Sequence, residues 1–293
     1  MRDWMGELSA LPLGLYEKAI SNHLSWEEKL RLVKDSGFDF LEMSIDATKE
    51  RMGRLGDPDC IYTIRRAVET TNCPVCTLAL TVNRTYPLGS ENTVTREKGK
   101  QLVSQAISFA ASTGIRLLHL AAYDELGGKQ NASTRQNFVE SLKECVDSAA
   151  GHGVILALET MDTDFMDSGY KIMQLIRLFD TPYLQCYTDI GNLTASGIDV
   201  LKDMIYTGKH IVGIHLKDTK PNIYRDVKFG EGNVDFPYCF QVLEKLDYRG
   251  FLVAEMWSYD DERFHPYLKE ASSFLRRKMG TLENMQREKP QSD

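Results

Sequence analysis

A chain of 293 residues, 42% hydrophobic and 26% charged, can bury a sizeable core as one large domain or two ordinary ones, which excludes a largely disordered protein. Its 35 basic and 42 acidic residues leave a net charge of −7, against a nucleic-acid partner, whose phosphates need a basic face. No apolar run is long enough to span a bilayer, the N-terminal MRDWMGELSA lacks the apolar stretch of a signal peptide, and the scattered cysteines suit a reducing compartment, so the chain reads as cytoplasmic.

Taken in order, the chain alternates short β-rich apolar runs with helical patterns. The first run, LGLYEKA (13–19), precedes SWEEKLRLVKDSG (25–37), where Ser25 and Glu28 spell a capping box and Gly37 supplies a stop. FDFLEMSI (38–45) and PVCTLALT (74–81) follow. Cys73 and Cys76 form a C-x-x-C, but it opens an apolar run and has no second Cys or His pair, so it reads as structural rather than as a redox or zinc motif. RLLHLAAY (116–123) lies between REKGKQLVSQAISFAASTG (96–114) and TRQNFVESLKECVDSAAGHG (134–153), both of which end in glycine. The last four runs are VILALET (154–160), LQCYTDI (184–190), IVGIHLKDT (211–219) and FLVAEMW (251–257).

Parallel strands need long crossovers, so eight strand–helix repeats predict a single α/β domain, a (β/α)8 TIM barrel over residues 1–293, with an N-terminal arm (1–10) and a polar tail from about 281. A doubly wound open sheet is the alternative, but no G-x-G-x-x-G follows the first strand.

In a barrel the C-terminal strand ends converge on one mouth. Strand five ends with Glu159, strand six with Asp189, strand seven carries His215 and strand eight Glu255. A lone acid at a strand end is commonly a turn former or helix cap and a lone histidine a core residue, yet three acids and a histidine recur on four consecutive strands. Three carboxylates in a partly dry mouth repel one another unless protons or a cation neutralise them, and one divalent metal does so economically. Three oxygen donors and one nitrogen suit Mn²⁺ or Mg²⁺; Zn²⁺ and Co²⁺ also accept such a set. Cys186, three residues before Asp189, points to the other side of its strand.

LGLYEKA, GFDFLEMSID, RTYPLGSE, DIGNL, HIVGIHLKDTKP, FGEGNVDF and EMWS resemble the L-ribulose-5-phosphate 3-epimerase (L-xylulose-5-phosphate 3-epimerase) family of bacterial L-ascorbate and pentose catabolism, over about residues 13 to 276. The wider group, the xylose-isomerase-like barrels, is similar in holding a metal by Glu, Asp, His and Glu on strands five to eight. Residue by residue this implies Glu159, Asp189, His215 and Glu255 as ligands, with Glu159 and Glu255 doubling as the acid/base pair. The resemblance also implies a homodimer. The chain departs at Asn83, where members often carry histidine, and near Asn192, where free-sugar epimerases carry one.

Inverting carbon 3 of a 2-ketose phosphate requires removing a proton next to a carbonyl and returning one to the opposite face of a cis-enediolate. Two bases suffice, and a metal on oxygens 2 and 3 stabilises the developing charge. A positioned base is worth roughly 10² to 10⁴ in rate, so metal and positioning supply the rest. Candidate contacts to the sugar phosphate are Lys18, Glu42, Asn83, Arg84, Asn192, Lys217, Lys220 and Arg225, Glu42 and Lys217 standing behind the ligands. Lys228 and the G-x-G of Gly230 and Gly232 add a phosphate-loop candidate, although G-x-G alone reads as a turn. The same enediolate chemistry one carbon over gives the alternative of hexulose-6-phosphate isomerase or another sugar-phosphate aldose/ketose isomerase. A non-catalytic sugar-phosphate-binding barrel is a further alternative. An apurinic endonuclease on this barrel would want several zinc ions, more histidines at the strand ends and a basic face.

Overall fold

The computed structural model describes residues 10–127 and 130–287, except for the side chains of 281–287. Eight parallel strands close into a barrel: β1 (Leu13–Tyr16), β2 (Phe40–Ile45), β3 (Val75–Leu80), β4 (Leu117–Leu120), β5 (Ile155–Glu159), β6 (Leu184–Asp189), β7 (Ile211–Leu216) and β10 (Phe251–Ala254), which pairs back onto β1. Between β7 and β10 an antiparallel hairpin, β8 (Asp218–Lys220) and β9 (Ile223–Val227), turns at Asn222, whose φ of 60° is left-handed. The helices are α1 (Trp26–Asp35), α2 (Lys49–Gly53), α3 (Pro58–Thr71), α4 (Thr93–Thr113), α5 (Ala132–His152), α6 (Gly169–Phe179), α7 (Ile190–Ala195), α8 (Val200–Thr207), α9 (Phe236–Lys245) and α10 (His265–Arg287).

Local chemistry accounts for the helix ends. At α1 the Ser25 hydroxyl accepts from the Glu28 amide while the Glu28 carboxylate accepts from the Ser25 amide, satisfying two amides that lack helical partners. The glycines after α4 and α5 take left-handed conformations that a side chain would strain.

Strand alternation separates two cores. Leu13 and Leu15 of β1, Leu158 of β5 and Ile214 of β7 face outward against the helices, each fully buried and worth about 1.5–3 kcal/mol. The opposite parity fills the interior with Tyr16, Phe40, Ala79, Val253, Leu117, Ala157 and Tyr187. Interior rings need room from small neighbours: a Cβ at Gly213 would lie 2.3 Å from the Tyr187 ring, and one at Gly14 2.3 Å from the Phe40 ring. Cys186 packs with the outer layer, as its parity predicts, and all six cysteines are free, including the C-x-x-C pair.

Several expected runs are shorter than read. β1 stops at Tyr16 and continues as a 3₁₀ turn (Glu17–Ala19), and β10 stops at Ala254, placing Glu255 just past the strand. IVGIHLKDT is two strands, because β7 leaves the barrel after Leu216 and Asp218–Lys220 pairs with β9 instead. Residues 281–287, expected in the tail, continue α10; residues 1–9 and 288–293 lie outside the described residues.

Candidate metal centre and its mouth

Glu42, His119, Glu159, Asp189 and His215 share the inward parity of their strands, and Glu255 continues that of β10. Register places Asp189 beside His215 and Val253 beside His215 on its other flank. The ligand atoms of Glu159, Asp189, His215 and Glu255 lie within 4.8 Å of one another, and all four residues are buried. His215 Nδ1 is 2.9 Å from Glu159 Oε1 and 3.6 Å from Glu255 Oε2. Lys217 Nζ lies 2.6 Å from Asp189 Oδ2 and 2.8 Å from Glu255 Oε2, and donates to Asn192 Oδ1 at 2.9 Å.

The electrostatics show how crowded this charge is. Burial pushes the Asp189 carboxyl up to about 6, although Lys217 pulls it down, with Glu255 and Glu159 adding to the rise. Glu255 is buried too, yet Lys217 and His215 hold it down at about 2. Burial disfavours charge on His215, but Glu255 and Glu42 outweigh it and raise the imidazole well above its usual range. The cluster therefore carries more negative charge than Lys217 and His215 offset, and its donors, three carboxylates and one imidazole nitrogen, fit a divalent cation.

Above the cluster, the mouth is lined by Tyr16, Lys18, Arg84, Asn192, Tyr224, Arg225, Trp257 and both glutamates, among others. Of the residues expected to touch substrate, Lys18 is paired with Asp46 at 2.8 Å, and Arg84 sits 3.4 Å from Asp162 with its guanidinium over the Tyr123 ring. Arg225, on β9, lies 5.0 Å over the Trp257 ring and makes no ion pair among the described residues. The Asn192 Nδ2 donates to the Thr160 carbonyl at 2.9 Å.

Three expected contacts lie elsewhere. Asn83 is buried, its Nδ2 donating to the Tyr86 carbonyl at 3.1 Å, and Lys220 points to solvent at the end of β8; neither lines the mouth. Glu42 is buried in the barrel interior, hydrogen-bonded to His215 and not to the mouth. The G-x-G loop is also occupied: the Gly230 and Gly232 amides donate to Asp218 Oδ2 at 2.8 and 3.0 Å, so an internal carboxylate takes the place considered for a phosphate. Lys228 packs over the Tyr267 ring instead.

The structure adds residues that the strand-end pattern does not reach. His119, on an earlier strand, is one of them: its ring sits 4.9 Å from that of His215 and its Nδ1 3.6 Å from Glu159 Oε2. Its signal is parity: it lies two residues into β4, on the inward side. Trp257 carries the same parity signal two residues after Glu255, whereas Tyr224, on β9 outside the barrel, had none.

Comparison with known proteins agrees with this architecture. The family described as xylose isomerase-like TIM barrel matches residues 30–278. Curated relatives include L-ribulose-5-phosphate 3-epimerase UlaE of Shigella sonnei strain Ss046, 40% identical over 277 residues, covering 93% of this chain and 98% of the relative. UlaE of Escherichia coli strain SE11 is 40% identical over 270 residues, covering 92% and 95%. Among solved structures, an L-ribulose 3-epimerase superposes with a TM-score of 0.79 at 17% identity, covering 97% of this chain and all of that one (100%). A D-allulose 3-epimerase from Methylomonas sp. gives 0.74 at 18% identity, covering 94% and 97%. The distant structures show the fold alone, whereas the curated relatives cover nearly the whole chain. The chain belongs to the xylose isomerase-like TIM barrel family and, within it, to the L-ribulose-5-phosphate 3-epimerases, a family of isomerase-class enzymes.

Proposed function

We propose that this single-domain barrel is a divalent-metal-dependent sugar-phosphate 3-epimerase of the cytoplasm, interconverting L-ribulose 5-phosphate and L-xylulose 5-phosphate in L-ascorbate and pentose catabolism. One observation carries the proposal: Glu159 and Glu255 both line the mouth and both approach His215 Nδ1, at 2.9 and 3.6 Å. Two carboxylates are thereby available to a substrate held between them.

Glu159, Asp189, His215 and Glu255 would hold the metal, Mn²⁺ or Mg²⁺. Bound there, it supplies Lewis-acid stabilisation of the negative charge that develops on substrate oxygens 2 and 3. Glu159 and Glu255 do the proton work, entering as one carboxylate and one carboxylic acid: the carboxylate removes the carbon-3 proton, the acid gives its own to the opposite face, and the two have then exchanged states, which sets the pair for the reverse direction. Lys217 favours the ionised form of Glu255, the form that removes a proton, and its ammonium faces the mouth where charge builds on the substrate. Tyr16 and Trp257 wall the cleft with aromatic surface, which excludes water from the reacting carbon.

The phosphate is assigned to Arg225, Arg84 and Lys18. Arg225 is the best placed of these, because its guanidinium has no carboxylate among the described residues to give up. The test is turnover by metal-stripped and Mn²⁺-loaded protein on L-ribulose 5-phosphate and on unphosphorylated L-ribulose. Metal-dependent formation of L-xylulose 5-phosphate, with little activity on the free sugar, supports the proposal. No turnover with any divalent metal would leave a sugar-phosphate-binding barrel.

A further inference from the structure

Glu42 and His119 are buried to within 1% of completely, carry chemistry, and have no part in the proton transfers above. They sit under His215. Glu42 Oε2 accepts hydrogen bonds from the Thr77 hydroxyl at 2.7 Å and the Tyr187 hydroxyl at 2.9 Å. Its other oxygen, Oε1, lies 2.6 Å from His215 Nε2. A carboxylate already accepting two hydroxyl protons has only acceptor capacity left, so the bond to His215 carries the imidazole's own proton on Nε2. Nδ1 faces Glu159 and Glu255, at 2.9 and 3.6 Å, and is the nitrogen that would give up its proton and offer a lone pair when a cation takes its place among those carboxylates.

His119 completes the arrangement from the side. Its ring meets His215 edge-on (88°) and leans on Tyr187 with centroids 4.3 Å apart. Nε2 is 3.4 Å from Glu42 Oε1 and Nδ1 is 3.6 Å from Glu159 Oε2, and neither nitrogen has a hydrogen-bond partner among the described residues. One imidazole thus stands between the carboxylate that orients His215 and the carboxylate assigned as a base.

We propose that Glu42 and His119 are positioning residues of the metal centre. Glu42 holds His215 with its Nε2 proton inward and its Nδ1 lone pair toward the cation, and His119, wedged between Glu42 and Glu159, sets the angle of the Glu159 carboxylate. The proposal rests on the metal-dependent reading of the same site. Partners of this kind commonly govern metal affinity by about 10- to 100-fold, and small misplacements of a reacting group cost rate steeply.

The experiment uses the full chain, metal-stripped, as wild type, Glu42→Gln and His119→Phe, the last keeping a ring without its nitrogens. Mn²⁺ titration calorimetry, melting temperature, and kcat and KM at saturating Mn²⁺ are measured on each. Glu42→Gln weakens Mn²⁺ binding by about 10- to 100-fold. His119→Phe lowers kcat by about 10- to 100-fold with KM little changed. A purely structural role lowers the melting temperature of both variants while leaving Mn²⁺ affinity and kcat at wild-type values, and that result overturns the inference. So does a wild type that binds two Mn²⁺ where His119→Phe binds one, since His119 is then a ligand. A wild type that binds no Mn²⁺ removes the metal reading itself, which separates its failure from that of the positioning roles.

Discussion

The Lys217 ammonium lies 2.6 Å from Asp189 Oδ2, while the other oxygen of the same carboxylate accepts the Asn192 amide at 2.9 Å. Asp189 therefore works in two ways at once. It caps the N-terminus of α7, and it is one of the acids that Lys217 holds together at the mouth. A cap alone would account for an acid at the end of β6, but not for a buried ammonium spanning two carboxylates.

Replacing Lys217 with methionine strands Asp189 and Glu255 as buried acids that lack their cation. Breaking a buried pair by removing one partner costs about 3–5 kcal/mol, so the denaturation midpoint of the metal-stripped protein should fall sharply. Saturating Mn²⁺ should restore much of the loss, because a bound cation neutralises the same acids. Denaturation curves of Lys217→Met with and without Mn²⁺ decide it; a loss that Mn²⁺ leaves untouched argues against a metal at these acids.

Asp189→Asn separates the two tasks of that residue. Asparagine caps helices about as well as aspartate, so the contribution of the cap, about 1 kcal/mol, is retained. Metal affinity should nonetheless drop, since one carboxylate ligand becomes an amide. Calorimetry of Mn²⁺ binding together with urea denaturation distinguishes this from a simple capping role, which Asn would preserve in both measurements.

Of the fold, the strands and their order were legible because each β-rich run has a boundary signal and each crossover helix a cap or a glycine stop, as at Ser25, Gly37 and Gly153. Of the site, the four donors on strands five to eight were legible because they recur at consecutive strand ends. Glu42 is read from the sequence both as a candidate substrate contact and as a residue standing behind the ligands, but which ligand it meets is not legible, because His215 lies 173 positions away across a closed barrel. His119 was passed over because a single histidine in an apolar strand reads as a core residue until parity and closure place it against Glu42. The hairpin after β7 was merged into its strand, although Pro221 and Asn222 mark the turn.

Acid stability should depend on a second buried charge cluster, beside β1. Burial pushes the Glu17 carboxyl up, but Arg54, Lys29 and Arg51 overcome it and lower it to about 2. Its ion pairs with Lys29 and Arg54 are both 2.9 Å. Because the folded value is depressed, the stabilisation is fully present above the ordinary glutamate range near pH 4.5 and is lost as pH falls from there toward 2. A depression of this size corresponds to about 3 kcal/mol. Urea midpoints between pH 6 and 2.5 should show a drop that Glu17→Gln, though less stable throughout, lacks in its share; an unchanged slope in the variant contradicts the assignment.

Epimerisation at carbon 3 by two glutamates is tested most directly by the position of an isotope taken up from solvent. Incubated with L-ribulose 5-phosphate and Mn²⁺ in deuterium oxide, the wild-type protein should give L-xylulose 5-phosphate carrying deuterium at carbon 3 and none at carbon 1, and Glu159→Gln should lose this epimerisation, keeping at most exchange without inversion on the face that Glu255 serves. Deuterium at carbon 1 would show an aldose/ketose isomerase, and normal epimerisation by Glu159→Gln with its metal bound would contradict the two-base mechanism.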